Sequence, residues 1–311
     1  MDTLYIGIDT SCYTTSLGVM AGDKHRHYKT PLSVKEGECG LRQSDAVFMH
    51  IKNLPKLFEE MSKDFDLASY ENKVVSVSSR PRKVEGSYMP VFMAGESFAR
   101  SVSAVLNAKL NFVSHQEGHF MSAIYSCGAY SLLSEPFIAV HISGGTTEIT
   151  LAKWEDGGFK TEIVGGTKDL PTGQFIDRIG VLMGMEFPCG KYLDTMAIEY
   201  EGDEKIKTSV KDGYINFSGE ETRYRRAFEG GECKEKIAYL TMKTIRESLI
   251  QAIEEVKKKY GIEKVLMGGG VSSSAFLRKG FENIKGVYFA EAELSTDNAM
   301  GVCLLGKFLN N

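Results

Sequence analysis

The chain has 311 residues, of which 42% are hydrophobic and 25% are charged, and its formal net charge is −4. This composition is typical of a folded globular protein, the length allows two lobes with separate cores, and the negative charge argues against a general polyanion binder. No apolar run reaches the length of a membrane span and no signal pattern precedes the first apolar run, so we expect a cytoplasmic protein with no membrane partner.

The chain opens with a strand, a small polar corner and a second strand. An apolar run at 4–8 ends at Asp9, and a second run follows at 14–20. Alternating patterns over two short runs predict an antiparallel β-hairpin. Asp9, at the end of the first strand, is a candidate catalytic carboxylate.

The sequence of residues 25–114 predicts helices, strands and loops but no functional site. Residues 25–29 are predicted to form an exposed edge segment. Apolar residues recur at helical spacing over 44–63, where Pro55 predicts a break or kink. A buried strand at 73–77 leads into a basic loop at 80–83, which we interpret as a solvated turn in preference to an anion contact. A helix at 93–106 and a short strand at 110–113 follow.

Two histidines four residues apart mark the next segment. His115 and His119 would lie on one face of a helix, where both imidazoles could bind one metal ion, whereas Glu117 would point elsewhere. The order of residues differs from the His-Glu-x-x-His pattern of zinc proteases. For an isolated pair, helix-capping or core histidines are the more frequent explanation.

A second strand, corner and strand pattern occupies 137–151. Its Ser-Gly-Gly-Thr-Thr corner lies at 143–147. Because Gly144 and Gly145 have no side chains, backbone N–H groups there could approach a phosphate closely, with the flanking hydroxyls as further donors. An ordinary hairpin is the alternative, and it would be favoured if this segment stood alone.

A glycine-rich turn follows a short strand at 264–267. Around Gly269, Gly270 and Ser274, a flat purine could lie against the backbone before a helix that begins near Ala275. Two similar hairpins and this turn predict a duplicated two-lobe α/β fold, the actin-like, sugar kinase and heat-shock ATPase (ASKHA) fold. We expect the lobes at 1–125 and 126–311, a nucleotide between the two phosphate-binding turns, and the C-terminal helix packed back on the first lobe.

Two further carboxylates lie in the second half of the chain. Asp177 lies on the polar face of a helix predicted at 173–183, and Asp194 follows a Phe-Pro-Cys-Gly turn at 187–190. Such carboxylates could accept hydrogen bonds from a ribose or a substrate hydroxyl, while Asp194 could equally favour a helix N-terminus. A basic segment at 222–226 could touch RNA, but a solvated helix face is preferred.

In combination, these motifs resemble the TsaD/Gcp family of tRNA threonylcarbamoyladenosine transferases, formerly described as O-sialoglycoprotein endopeptidases. The resemblance runs from Tyr5 to about Gly306. Its most specific parts are His-x-Glu-Gly-His at 115–119, Ser-Gly-Gly at 143–145, Gly-x-Phe-Ile-Asp at 173–177, Phe-Pro-x-Gly at 187–190, Phe-Ser-Gly at 217–219, Gly-Gly-Val at 269–271 and Thr-Asp-Asn at 296–298.

The resemblance implies a metal site, a nucleotide site and an RNA substrate. His115, His119 and Asp297 would bind one divalent metal ion, zinc or iron. With Asp9, which could serve in magnesium or base chemistry, His115 and His119 are the predicted catalytic residues. The implied partners are tRNA, an inactive family paralogue and a small ATPase. The implied site for an adenine nucleotide, threonylcarbamoyl-AMP or ATP, is formed by His141, Ile142, Ser143, Gly144, Gly145, Asp177, Gly190 and Asp194.

The chain also departs from the family pattern. Cys-Tyr-Thr-Thr at 12–15 replaces Cys-Asp-Glu-Thr, Arg-Pro-Arg at 80–82 replaces Gly-Pro-Gly, and Ser274 replaces the asparagine of the adenine motif. These departures indicate a divergent paralogue. They motivate an alternative hypothesis, a non-catalytic scaffold that binds metal and adenine nucleotide without transferring a group. A small-molecule kinase of the same fold is a weaker alternative, because it leaves the two histidines unexplained.

Overall fold

The computed structural model describes residues 3–11, 13–33, 41–291 and 298–310. The chain divides into two compact units. The first unit comprises Met1–Ser126, Glu155–Phe159 and Thr296–Asn311, and the second comprises Cys127–Trp154 and Lys160–Ser295. In the part of the chain that is described, no helix is both long and apolar enough to cross a membrane.

The first unit contains a five-stranded sheet in the order β3-β2-β1-β4-β5. Strands β1 to β3 are antiparallel neighbours, and β4 and β5 continue the sheet in parallel with β1. The strands are β1 Leu4–Asp9, β2 Thr14–Ala21, β3 Lys24–Pro31, β4 Lys73–Arg80 and β5 Lys109–Ser114, and the helices are α1 Gln43–Asp64, α2 Val91–Leu106, α3 His115–Ser126 and, at the chain end, α9 Ala299–Phe308, with a 3-10 turn at Leu67–Ser69.

Alternation along β1 gives the sheet two different faces. Ile6 and Ile8 point to one face, where they are fully buried in a core shared with residues of α1. Gly7 and Gly18 lie directly opposite each other on the other face. A Cβ at Gly18 would be 2.7 Å from the Cα of Met300, so these glycines allow α9 to pack against bare strand backbone. Asp9 lies on the same face as Gly7, at the end of the strand.

Helix α1 runs without interruption from Gln43 to Asp64, so Pro55 does not break it, and the alternative, a kink, stays a prediction. Leu54, Leu57 and Met61 are buried on one side of the helix and hold it against the sheet. Proline removes one hydrogen bond to the carbonyl four residues earlier, at Ile51. Ile51 is exposed, so the residue whose carbonyl loses its donor lies on the solvent side of the helix.

The second unit contains a seven-stranded sheet in the order β12-β11-β6-β7-β8-β10-β9. Helix α7 lies along its core, and its buried face includes Ile245, Leu249 and Ile253. The strands are β6 Phe137–Ile142, β7 Thr147–Glu155, β8 Gly158–Thr167, β9 Val210–Lys211, β10 Tyr214–Ile215, β11 Val265–Gly268 and β12 Val287–Phe289, and the helices are α4 Thr172–Leu182, α5 Gly190–Glu199, α6 Ser218–Glu229, α7 Lys234–Tyr260 and α8 Ala275–Phe281, with 3-10 turns at Tyr130–Leu133 and Gly270–Ser273.

Both predicted hairpins are confirmed. β1 pairs with β2 from Leu4 opposite Ala21 to Asp9 opposite Ser16, and β6 pairs with β7 up to Ile142 opposite Thr147. The corner at 143–146 closes with a hydrogen bond of 2.8 Å from the Ser143 N–H to the Thr146 carbonyl. In each hairpin, the two paired strands are therefore joined by a short polar segment of the sequence.

Candidate functional site

Helix α3 presents the two histidines, and its first turn is fixed by a reciprocal cap. The Ser114 hydroxyl accepts a hydrogen bond from the Glu117 N–H at 3.3 Å, and Glu117 Oε2 accepts from the Ser114 N–H and hydroxyl at 2.8 Å each. This is a capping box, and the Ser-x-x-Glu spacing at 114–117 is its readable sequence signal. Glu117 Oε1 accepts from the Phe159 N–H at 3.0 Å, so this buried carboxylate anchors the helix.

The imidazoles of His115 and His119 meet on one face of α3. Their Nε2 atoms are 3.1 Å apart and their ring centroids are 4.5 Å apart. His115 Nδ1 lies 3.1 Å from Oδ1 of Asp9 at the end of β1. The Asn298 amide contacts the same Nδ1 and donates to the His115 carbonyl at 2.6 Å. Three distant stretches of the sequence therefore converge on the first histidine.

Asp9 is buried and ionised. The Ser78 hydroxyl donates to Oδ1, and the Ser11 N–H donates to Oδ2 at 3.4 Å. Burial alone would raise the pKa of Asp9, but the neighbouring His115 and the hydrogen bonds from His115, Ser78 and Ser11 together lower that pKa well below its usual value. The carboxylate is therefore available as a charged partner for His115 at neutral pH.

A cavity of about 400 Å³, the histidine cavity, opens onto this group. Asp9, His115, His119 and Asn298 line it. Its wall also includes Tyr13, Ser16, Lys29, Met89 and Phe92. None of these five, and not Asn298 either, was predicted as a site residue. Strand register places Ser16 beside Asp9 and Lys29 beside Ser16, but a register exists only once the strands are paired, so no local signal identifies them.

The histidine pair fits two ligands of one metal ion. Two Zn–N bonds of about 2.0–2.1 Å at a tetrahedral angle place their nitrogens about 3.4 Å apart, close to the observed spacing. A carboxylate beside Nδ1 of a histidine orients the ring and directs Nε2 towards a metal. Among the described residues, no group of three His, Cys, Asp or Glu side chains meets the requirements of a metal site. Asp297, the third predicted ligand, lies outside the described residues.

The second unit has its own cavity, of about 590 Å³, which we call the glycine-lined cavity. Phe187, Lys191, Met242 and Val271 line it, and none of the four was predicted as a site residue. Phe187 and Val271 belong to motifs of the family resemblance, whereas Lys191 and Met242 belong to no recognisable motif. Six of the predicted nucleotide-site residues line the cavity: Gly144, Asp177, Gly190, Asp194, Gly270 and Ser274. The other five do not line it: His141, Ile142, Ser143, Gly145 and Gly269.

The glycines near this cavity fall into two classes. At Gly144, Gly190 and Gly270, a Cβ would meet no atom within 4 Å, and none of the three has a left-handed φ. Gly269 has a φ of +88°, and a Cβ there would be 2.8 Å from the carbonyl carbon of Ile142; at Gly173 it would be 2.7 Å from the Gly144 nitrogen. Gly173 and Gly269 are therefore required by the fold, whereas the other three leave backbone open to the cavity.

Both carboxylates of the glycine-lined cavity hold backbone groups. Asp194, within α5, accepts hydrogen bonds from the N–H groups of Ala275 and Phe276 at 3.0 and 3.1 Å and from the Ser274 hydroxyl. It therefore caps the N-terminus of a different helix, α8. Asp177 Oδ1 accepts from the Cys189 N–H at 2.8 Å. These contacts fix the shape of the cavity wall.

Comparison with known proteins adds a family match. Residues 36–302 match the family model described as TsaD, tRNA N6-adenosine threonylcarbamoyltransferase. The chain is 26% identical to the tRNA N6-adenosine threonylcarbamoyltransferase of Thermosipho africanus, over 97% of this chain and 93% of the relative. It is 28% identical to the protein of the same name from Sulfurihydrogenibium sp., over 97% of this chain and 89% of the relative.

Comparison with solved structures concerns the fold. The chain resembles HypF from T. kodakarensis with a TM-score of 0.62 and 14% identity, over 99% of this chain and 48% of HypF. At this identity the likeness carries no information about substrate. It confirms the predicted α/β fold of the actin-like, sugar kinase and heat-shock ATPase class.

Proposed function

Because the chain belongs to the TsaD family of tRNA N6-adenosine threonylcarbamoyltransferases, we propose that it transfers a threonylcarbamoyl group from threonylcarbamoyl-AMP to a tRNA adenosine. The observation that carries the proposal is the histidine pair, with Nε2 atoms 3.1 Å apart in a cavity that also contains Asp9. A structural pair of core histidines would not need an open cavity and a buried, ionised carboxylate beside it.

The proposed reaction is an acyl transfer. The N6 amine of adenosine attacks the carbamoyl carbon, the bond from that carbon to the phosphate oxygen breaks, AMP leaves with the electron pair, and the amine proton passes to solvent. A zinc or iron ion held by His115, His119 and Asp297 would supply Lewis-acid polarisation of the carbamoyl oxygen. Asp9 contacts Nδ1 of His115 and so orients the ring whose Nε2 would bind such an ion.

The glycine-lined cavity is the proposed adenylate site. Gly144, Gly190 and Gly270 expose backbone to the cavity, and backbone N–H groups of this kind bind phosphate oxygens. Phe187 and Val271 supply apolar surface suited to a purine ring. His141, Ile142, Ser143, Gly145 and Gly269 then support the turn rather than contact the ligand.

The proposed partner is tRNA, because the relatives are named for their action on it. With a net charge of −4, the chain would have to meet RNA through a local basic surface. An inactive family paralogue and a small ATPase are the further proposed partners.

One observation favours the alternative, a non-catalytic scaffold that binds metal and nucleotide. Tyr13, which stands where the family resemblance expects an acidic residue, is 55% exposed and lines the histidine cavity. A phenol is neutral at physiological pH and offers neither the charge nor the basicity of a carboxylate.

Nucleoside mass analysis tests the proposal. Unmodified tRNA is incubated with threonylcarbamoyl-AMP, the protein and a host extract that lacks the ordinary transferase. We expect the modified adenosine with the unaltered chain and a loss of about 100-fold with His119→Ala, because a ligand of the reacting metal is removed. His25→Ala, a histidine in the same unit that does not line the cavity, is the matched control.

Two results would decide against parts of the proposal. Full activity of His119→Ala would exclude a role for the metal site. Absence of the modified nucleoside, in a protein that still binds zinc and AMP, would favour the scaffold.

A further inference from the structure

A row of three side chains crosses the first sheet towards the histidine cavity. Asp9 on β1 is directly opposite Ser16 on β2, and Ser16 is directly opposite Lys29 on β3. Directly opposite residues of antiparallel strands project from the same face. All three line the cavity that contains His115 and His119. Two strand spacings separate Asp9 and Lys29, so their backbones lie about 10 Å apart.

The Lys29 ammonium group has no polar partner among the described residues. Within the described ranges, it has no hydrogen bond and no ion pair with the rest of the chain. Asp9, the acidic residue among the described residues that line the same cavity, is already paired with His115. Burial, and after it the positive charge of Lys29, lowers the pKa of the neighbouring His27 to about 4, so His27 is neutral and Lys29 is the charged group of this part of the strand.

We infer that Lys29 binds the carboxylate on the acyl group of the substrate and so contributes to the selection of that group. The inference rests on the proposed function, in which the acyl group derives from threonine. In such a group the carbamoyl nitrogen is bonded to the carbon that carries the carboxylate. An acyl group short enough to fit this cavity therefore brings its negative charge into the same space as Lys29, and an ammonium–carboxylate hydrogen bond is charge-assisted.

Lys29 could instead protect the edge of the sheet, and the test has to distinguish that role from carboxylate binding. β3 is an edge strand of the described sheet, and lysines on edge strands prevent the addition of another strand. Arg26 offers a matched comparison, because it lies on the same strand opposite Val19 and therefore projects from the other face. Removal of Arg26 takes one positive charge from β3 without touching the histidine cavity.

The test compares two probes that differ only in charge, N-carbamoyl-L-threonine and its carboxamide. Their binding to the full-length, zinc-supplemented protein is measured by calorimetry for the unaltered chain, Lys29→Ala, Lys29→Arg and Arg26→Ala. We expect the unaltered chain to prefer the carboxylate by about tenfold. Lys29→Ala should lose that preference, while Lys29→Arg and Arg26→Ala should keep it.

The inference is overturned if the unaltered chain binds both probes equally or binds neither, or if Lys29→Ala keeps the preference. Inorganic phosphate is tested as a competitor, and displacement of the probe by phosphate at equal affinity would show a general anion site instead. Circular dichroism of each variant checks that the sheet is intact.

A parallel activity assay separates this inference from the proposed function. Lys29→Ala should raise the KM for threonylcarbamoyl-AMP by about tenfold, the same factor as in binding. If tRNA is modified with an unchanged KM, the function stands and the role of Lys29 fails. If no tRNA is modified but the carboxylate preference depends on Lys29, the ligand class stands and the transferase fails.

Discussion

At the scale of single residues, Asp9 shows how a buried charge positions a ligand. It is 1% exposed and lies 3.1 Å from His115 Nδ1. We expect Asp9→Asn to lower zinc affinity by about 10–100-fold, because a neutral amide orients the imidazole less firmly and leaves it less basic. Competition with a chromophoric zinc chelator measures the change.

The matched control for Asp9→Asn is Asp194→Asn. Asp194 is also a hydrogen-bonded aspartate, but it lies in the second unit and caps α8, so its replacement should leave zinc affinity unaltered. Equal zinc affinities for Asp9→Asn and the unaltered chain would mean that His115 binds zinc without the help of the Asp9 carboxylate.

Local spacing predicts some of these residues and not others. The shared face of His115 and His119 follows from helix geometry alone, because residues four apart are neighbours. The contacts of His115 with Asp9 and Asn298 join positions far apart in the chain, and no local pattern encodes such a contact. The Ser-x-x-Glu spacing is a local signal for the capping role of Glu117. The hydrogen bonds that Asp194 accepts from two backbone N–H groups of α8 have no such signal, because they form only when α5 and α8 pack together.

At the scale of elements, β-alternation predicted both hairpins because the pattern and the structure have the same period. The role of each glycine in the turns was harder to predict. Glycine occurs where the fold excludes a side chain, and it also occurs where a bound ligand needs the space. Only the surroundings separate Gly269, which has a left-handed φ, from Gly270, which has open space before it. Pro55 does not break α1, because the tertiary packing of the helix outweighs one missing hydrogen bond.

The open glycines give a prediction for the glycine-lined cavity. Alanine at Gly144, Gly190 or Gly270 would place a methyl group in space that no other atom of the chain fills. We expect each variant to fold normally and to bind AMP about tenfold more weakly, since a steric intrusion of this size costs about 1–3 kcal/mol. Calorimetric titration with AMP measures the affinity, and thermal unfolding checks the fold.

Gly219→Ala is the control for these three variants. A Cβ at Gly219 also meets nothing within 4 Å, but this glycine lies in α6 and does not line the cavity. Its AMP affinity should match that of the unaltered chain. Unaltered AMP binding in all three cavity variants would place the nucleotide elsewhere.

At the scale of the whole molecule, the first unit is assembled from separate stretches of the chain. It combines the N-terminal strands, residues 155–159 and the C-terminal helix α9. The ASKHA fold could be predicted because each of its two hairpin motifs is a short, continuous segment whose pattern is visible in the sequence. The grouping of residues 155–159 with the first unit has no counterpart in the sequence pattern, since it depends on contacts that only the folded chain makes.

The contact between β1 and α9 leads to the last prediction, at Gly7. A Cβ at this position would overlap the backbone of Ala299 and lie 2.8 Å from the Cα of Cys303. Neither backbone segment yields easily, because β1 is hydrogen-bonded on both sides and α9 is a continuous helix. We expect Gly7→Ala to destabilise the packing of α9 on β1 by about 1–3 kcal/mol.

Hydrogen exchange measures this effect, because amides of β1, β2 and α9 should lose protection together. Zinc affinity should fall as well, since Asn298, which contacts His115, immediately precedes α9. Gly219→Ala, outside this contact, should change neither quantity. Unchanged protection of α9 in Gly7→Ala would contradict the close approach of helix and strand. Loss of protection with unchanged zinc affinity would show instead that the histidine pair keeps its geometry without α9.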